Sequence, residues 1–146
     1  MKKGYGNKMI DSIKGTFLSN FYENGVRYEG LWYRNAESAF QASKCTDKID
    51  RVKFQNLTGA QAKALGKTVV LRNDWNDVKV RVMYEILCAK FESTEILRIW
   101  LLETGDQEIV EGNSWGDTFW GVCNGKGQNQ LGKLLMGIRE EYKVNG

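Results

Sequence analysis

Apolar residues recur at helical spacing through much of this chain. Trp75, Val78, Val82, Ile86 and Ala89 follow one another in steps of three or four, and Met83, Leu87 and Phe91 widen the stripe. That spacing predicts a long helix starting after Asp74, which reads as its N-cap, with Asp77 suited to the positive end of the helix dipole. A second stripe, Ile96-Leu97 with Ile99 to Leu102, restarts after Thr94 and is stopped by Gly105. A third, made of Leu131, Leu134, Leu135, Ile138 and Tyr142, predicts a C-terminal amphipathic helix. Shorter helices are expected from Ala36 to Lys44 behind an Asn35 N-cap, after Asp47, and after Thr58. The Thr58-x-x-Gln61 spacing is that of a capping box, and Gly66 reads as the end of its helix. Strands are few. Val26-Arg27-Tyr28 and Leu31-Trp32-Tyr33 flank Glu29-Gly30, a hairpin signal, and one more strand is expected around Ile109-Val110. Half of the sixteen glycines lie between Gly105 and Gly137, so that stretch must bend tightly. With no repeat and no linker, the pattern predicts one predominantly helical α+β domain over residues 1–146.

Composition narrows the chemistry more than the fold. The 146 residues are 42% hydrophobic and 27% charged, enough for one core, and the net charge of +3 is scattered. There is no histidine, which excludes Ser-His-Asp and Cys-His catalysis and every His-ligated metal. Acid–base work must fall to Asp, Glu, Lys, Tyr or Cys. Cys45, Cys88 and Cys123 contain no Cys-x-x-Cys pair, so a zinc ribbon is not expected, and free thiols suit a reducing cytoplasm. The basic N-terminus, Met1 to Asn7, carries no apolar run of the signal-peptide kind, and no run is long enough for a membrane span. Asn56-Leu57-Thr58 matches a glycosylation sequon by chance in a cytoplasmic chain.

Three stretches carry candidate chemistry. Gly116-Asp117-Thr118-Phe119-Trp120-Gly121, with Trp115 before it, sets one carboxylate among glycines and indole rings. It reads either as a small core under a loop or as a proton donor beside a base-stacking platform. In the helix after Asn35, Glu37, Gln41 and Lys44 share a face, with Glu37 and Lys44 roughly 10 Å apart along the axis. That face is either a solvated polar stripe or a bracket around a ribose-sized ligand. The run from Gly121 to Asn129 enters the last helix with Lys126 nearby, and reads as an anion site or as a surface loop. Gly127 to Leu134 mimics a P-loop, but Leu134 stands where Ser or Thr must hold Mg²⁺, so an NTPase is rejected.

These motifs follow one order. Phe17-Leu18-Ser19-Asn20-Phe21-Tyr22 precedes Ala36-Glu37, Phe40-Gln41-Ala42 and Lys44. Trp75, Met83, Ala89-Lys90-Phe91, Leu101 to Gly105 and Val110-Glu111 come next. Asp117 to Gly121, Gly127 to Gly132, Leu134 to Met136 and Ile138-Arg139 close the series. The series resembles the NADAR (NAD- and ADP-ribose-associated), or YbiA-like, family over about Thr16 to Glu141. The resemblance implies a small helical α+β fold and cleavage of N-glycosidic bonds, without metal or other cofactor. It implies two kinds of substrate: ribosylamino-pyrimidine phosphates from early riboflavin synthesis, and ADP-ribose on guanine bases of nucleic acid. It also implies roles. Lys44 would attack the sugar C1 and hold it as a Schiff base, and Glu37 and Asp117 would divide the proton transfers. Asn20 would bond the ribose and Trp120 would stack on the base. Phe21, Gln41, Gly121 and Asn129 complete the expected substrate-binding set, with the Gly121–Gly127 loop assigned to a phosphate on helix-terminus physics rather than on the resemblance.

The chain departs from the family twice. Ser38 stands where many members have His, which bears on substrate choice, and Arg34 or Asn35 replaces a frequent proline. Two rival readings stay beside the enzyme: a silent ADP-ribose or nucleotide-binding module, and a purely structural protein. Oligomeric state is not read from the sequence.

Overall fold

In the computed structural model residues 9–145 are described, so the N-terminal segment discussed above lies outside them. By their contacts they divide into two compact units. One is Asn20–Thr94; the other joins the chain before it to the chain from Glu95 onward.

The Asn20–Thr94 unit begins with the predicted hairpin. Strands β1, Val26–Tyr28, and β2, Leu31–Tyr33, pair antiparallel with Val26 opposite Tyr33. Glu29 and Gly30 form the turn with φ of 46° and 85°, the left-handed conformation that glycine at the second position makes inexpensive. Helix α1, Ala36–Ala42, follows, and the Asn35 side chain accepts the Ser38 N–H as its cap. Then come α2, Lys48–Arg51, a 3-10 turn at Val52–Phe54, and α3, Gly59–Gly66, with the full Thr58/Gln61 capping box. Helix α4, Trp75–Ser93, completes the unit. Every residue of α1 is buried, because α3, α4, both hairpin strands and the 3-10 turn all pack against it. Its apolar side chains join Trp75, Val82, Met83, Ile86 and Phe91 in the core, with the Phe40 and Trp75 rings 5.1 Å apart.

The second unit is built on α5, Glu95–Glu103, and α6, Gln130–Asn145, which pack together. Leu97, Leu101, Ile109, Leu131, Leu135 and Ile138 form its core with Ile13, Phe17 and Leu18. Gly105, at φ 66°, ends α5 as expected. The buried Arg139 donates to Thr104 Oγ1 at 2.9 Å, which ties α6 to the end of α5. Between the helices runs an irregular segment with two short parallel strands, β3, Gly112–Asn113, and β4, Val122–Cys123.

Three local expectations change. Ile109 takes part only in an isolated bridge to Ile10, and the strand lies three residues further on. Helix α1 ends at Ala42, so Lys44 stands in the turn beyond it rather than on its face. Asp74 occupies the N-cap position of α4, yet its side chain makes no capping bond, because its carboxylate takes the Arg72 guanidinium at 2.6 and 3.1 Å. Gly66 ends α3 as expected. It is needed because a Cβ there would fall on the Gln41 Oε1 atom of α1.

Among the described residues no helix is long and apolar enough to cross a membrane. Among them, too, no cluster of three or more Cys, Asp or Glu side chains is placed to hold a metal ion.

Candidate active site

The Asn20–Thr94 unit brings Asn20, Glu37, Gln41 and Lys44 into one corner. Glu37 is buried in the first turn of α1, where its backbone N–H donates to the Asn20 carbonyl at 2.9 Å. Gln41, one turn on, donates from Nε2 to Glu37 Oε2 at 2.7 Å. Asn20, itself buried, donates to the Met83 sulfur at 3.4 Å and also bonds the Glu37 carboxyl. The face read as a choice between solvated stripe and ligand bracket is therefore not solvated at Glu37 and Gln41. Burial raises the Glu37 pKa, and the bond from Gln41 and the charges of Lys63 and Lys44 pull it back only in part. Burial lowers the Lys44 pKa; the Glu37 charge opposes this and the Lys63 charge adds to it. Both shifts favour the neutral form, a carboxylic acid beside an amine.

The Lys44 backbone is held from several directions. Its N–H donates to the Gln41 carbonyl at 3.2 Å, and its own carbonyl accepts from the Arg72 N–H at 2.9 Å. The Arg72 guanidinium reaches the Ser43 carbonyl at 3.4 Å, and Arg51 donates to the Cys45 carbonyl at 3.0 Å. The Arg72–Asp74 pair is thus a clamp on the segment that presents the amine. The sequence reading missed it, taking Asp74 for a cap; the adjacent opposite charges two residues apart were the available signal.

Two acceptors in this corner, Asn20 Oδ1 and Gln41 Oε1, are buried without a hydrogen-bond partner among the described residues. The Gln41 oxygen lies against Gly66. The Asn20 oxygen carries the desolvation cost of an unmade bond, of order 1–3 kcal/mol, which a sugar hydroxyl would relieve. Phe21, next in the chain, is 43% exposed, with its ring lying over Gly59. Ser38, the departure from the family pattern, bonds Leu57 O at 2.9 Å and meets Asn35 Oδ1 at 3.1 Å, so it secures the start of α1.

Asp117, Trp120, Gly121 and Asn129 lie in the other unit. Asp117 Oδ1 accepts from the Phe119 and Trp120 amides at 3.1 and 2.9 Å, closing a tight turn. Asn113 braces it from both sides, accepting from the Asp117 N–H at 3.0 Å and donating to its carbonyl at 2.9 Å. The Phe119 and Trp120 rings meet edge to face, 4.9 Å apart. Gly121 is buried, and a Cβ there would strike the Glu111 carbonyl oxygen. Asn129, at φ 51°, spends its side-chain amide on the backbone: Oδ1 accepts from Glu111 N and Nδ2 donates to Ile109 O, each at 2.9 Å. Of the two readings of the run before α6, the surface loop fits better than the anion site, since the Gln130 and Leu131 amides donate to the Phe119 and Trp120 carbonyls at 3.1 and 3.0 Å.

Comparison with known proteins agrees with the motif order. A family model described as the NADAR domain matches residues 9–143. The N-glycosidase Npun_R5314 of Nostoc punctiforme is 38% identical over 133 residues, covering 86% of this chain and 85% of that protein. The N-glycosidase YbiA of Escherichia coli is 35% identical over 131 residues, 87% of this chain and 81% of that one. The riboflavin biosynthesis protein VVA0006 of Vibrio vulnificus is 37% identical, with the match covering 35% of its length. The NMR structure of E. coli YbiA aligns with a TM-score of 0.82 at 32% identity, covering 99% of this chain and 88% of that one.

Proposed function

This chain belongs to the NADAR domain family and is an N-glycosidase; on that premise we propose that Lys44 is its nucleophile and Glu37 its proton donor. The observation that carries the reading is the buried Glu37–Gln41 pair beside Lys44, with burial favouring the protonated acid and the neutral amine. Lys44 Nζ attacks the sugar C1 as the bond from C1 to the base nitrogen breaks, and Glu37 protonates the departing nitrogen. The sugar ring then opens, its oxygen taking a proton, to leave C1 doubly bonded to Nζ. Water adds at C1, the amine departs, and the ring recloses to free sugar. Asn20 Oδ1 accepts from a ribose hydroxyl, and Phe21 offers an exposed ring at the same corner. Asp117 as a second proton-transfer group, and Trp120 as the stacking partner, rest on the motif resemblance.

The substrate class is a ribosylated or ADP-ribosylated nucleobase, and the family's two substrate kinds are both candidates. The protein works in the cytoplasm on this reading, consistent with three cysteines that form no disulfide.

Borohydride added during turnover should trap a sugar adduct on Lys44, located by peptide mass spectrometry. Lys44→Ala should lose both the adduct and turnover, by more than the roughly 10²–10⁴-fold expected for a lost acid–base group. Active enzyme that yields no adduct sinks the Schiff-base step. Assays on ADP-ribosylated guanine DNA and on a ribosylamino-pyrimidine phosphate, side by side, assign the substrate.

A further inference from the structure

A phosphorylated sugar needs an anion site, and the first amides of α6 are already bonded within their own loop. Positive charge is concentrated instead beside Lys44. Lys63 lies in α3, and Lys67 follows as its C-cap with helical φ and ψ of −74° and −14°. They are one turn apart, so their Cβ atoms are about 5–6 Å from each other on one face. The Gly66–Gln41 contact fixes that part of α3 against α1, next to Glu37 and Lys44. Electrostatics report the same proximity: Lys63 acts on the Glu37 carboxyl more strongly than Lys44 does, and both Lys63 and Lys67 act on Lys44. The other groups acting most strongly on Lys44 are Glu37 and Cys45, and burial raises the pKa of each, favouring its neutral form.

We propose that Lys63 and Lys67 form a phosphate subsite that takes the 5′-phosphate of the sugar whose C1 meets Lys44. Two ammonium groups one helical turn apart suit the several oxygens of a phosphate monoester or diphosphate. The same two charges disfavour protonation of Lys44, as a neighbouring cation does for other amine nucleophiles. The assignment rests on the proposed attack of Lys44 at C1 for the sugar's orientation, but its test does not need turnover.

Calorimetry with ribose 5-phosphate, ADP-ribose and ribose would be run on the wild type and on Lys63→Gln, Lys67→Gln, the double variant and the Arg pair. Ribose 5-phosphate should bind the wild type more tightly than ribose. Each Gln should weaken it about tenfold, as for a lost charge-assisted bond, and Arg should retain binding. Ribose should bind all variants alike. Equal losses for ADP-ribose point to a shared monoester and diphosphate site; losses confined to ribose 5-phosphate identify a monoester site. Wild type that does not prefer ribose 5-phosphate, or a double variant that binds it undiminished, overturns the subsite. A failed Lys44 assignment would show differently, as no sugar adduct on Lys44 with this phosphate selectivity intact.

Discussion

Two polar regions look equally chemical in the sequence and behave differently in the structure. At the Lys44 corner, side chains bond one another: Gln41 holds Glu37, and Asn20 keeps a buried acceptor unpartnered. In the Asp117–Asn129 loop, side chains bond backbone: Asp117 caps two amides, and Asn113 and Asn129 fasten neighbouring segments. The first arrangement leaves protonation states perturbed and hydrogen-bonding capacity unspent, which is what a reacting site requires. The second spends its capacity on shape. A polar motif is thus read as chemistry or as scaffold by what its atoms already bond.

The sharpest way to break this comparison is Glu37→Gln. The amide keeps the volume and a bond to Gln41 but cannot supply a proton, so kcat should fall about 10²–10⁴-fold. Stability should move the other way. The folded Glu37 pKa is raised above its ordinary 4.5, so its stabilising contribution is complete below that value. That contribution is lost as pH rises toward the folded pKa. Glu37→Gln should therefore flatten the fall in melting temperature above pH 4.5. An unchanged kcat would move Glu37 to the scaffold side.

Asp117→Asn applies the same question to the loop. Asn keeps an oxygen for the Phe119 and Trp120 amides while removing the carboxylate. If Asp117 transfers protons, kcat drops by about 10²-fold or more with the melting temperature unchanged. Full activity would make it a turn cap alone.

Gly66→Ala probes the corner's packing. The added Cβ falls on Gln41 Oε1, so unfolding by denaturant should show a loss of about 1–3 kcal/mol. Displacing Gln41 from Glu37 should also lower activity. The smallest effect on stability belongs to Asp117→Ala, which removes the turn cap at about 1 kcal/mol, readable as a shift in denaturation midpoint.

Much of the helical framework was legible from local signals. The capping box at Thr58, the Asn35 cap, the Glu29-Gly30 turn and the stripes of α4, α5 and α6 depend on neighbours in sequence, so spacing and turn chemistry suffice. The motif order likewise placed the chain in its family. Burial was not legible. Glu37 and Gln41 carry the same letters on a solvated stripe as in a dry corner, and only the elements enclosing α1 decide between them. Asp74 was misread for the same reason, since Arg72 claims its carboxylate through space. The α6 amides were claimed as well, by carbonyls that the loop folds back onto them. Sequence by itself determined which residues could do chemistry and which segments would be helical, because those depend on residue type and local geometry. Tertiary structure decided which polar groups are desolvated and which are already bonded, because desolvation and partnership belong to the surroundings rather than to the residue.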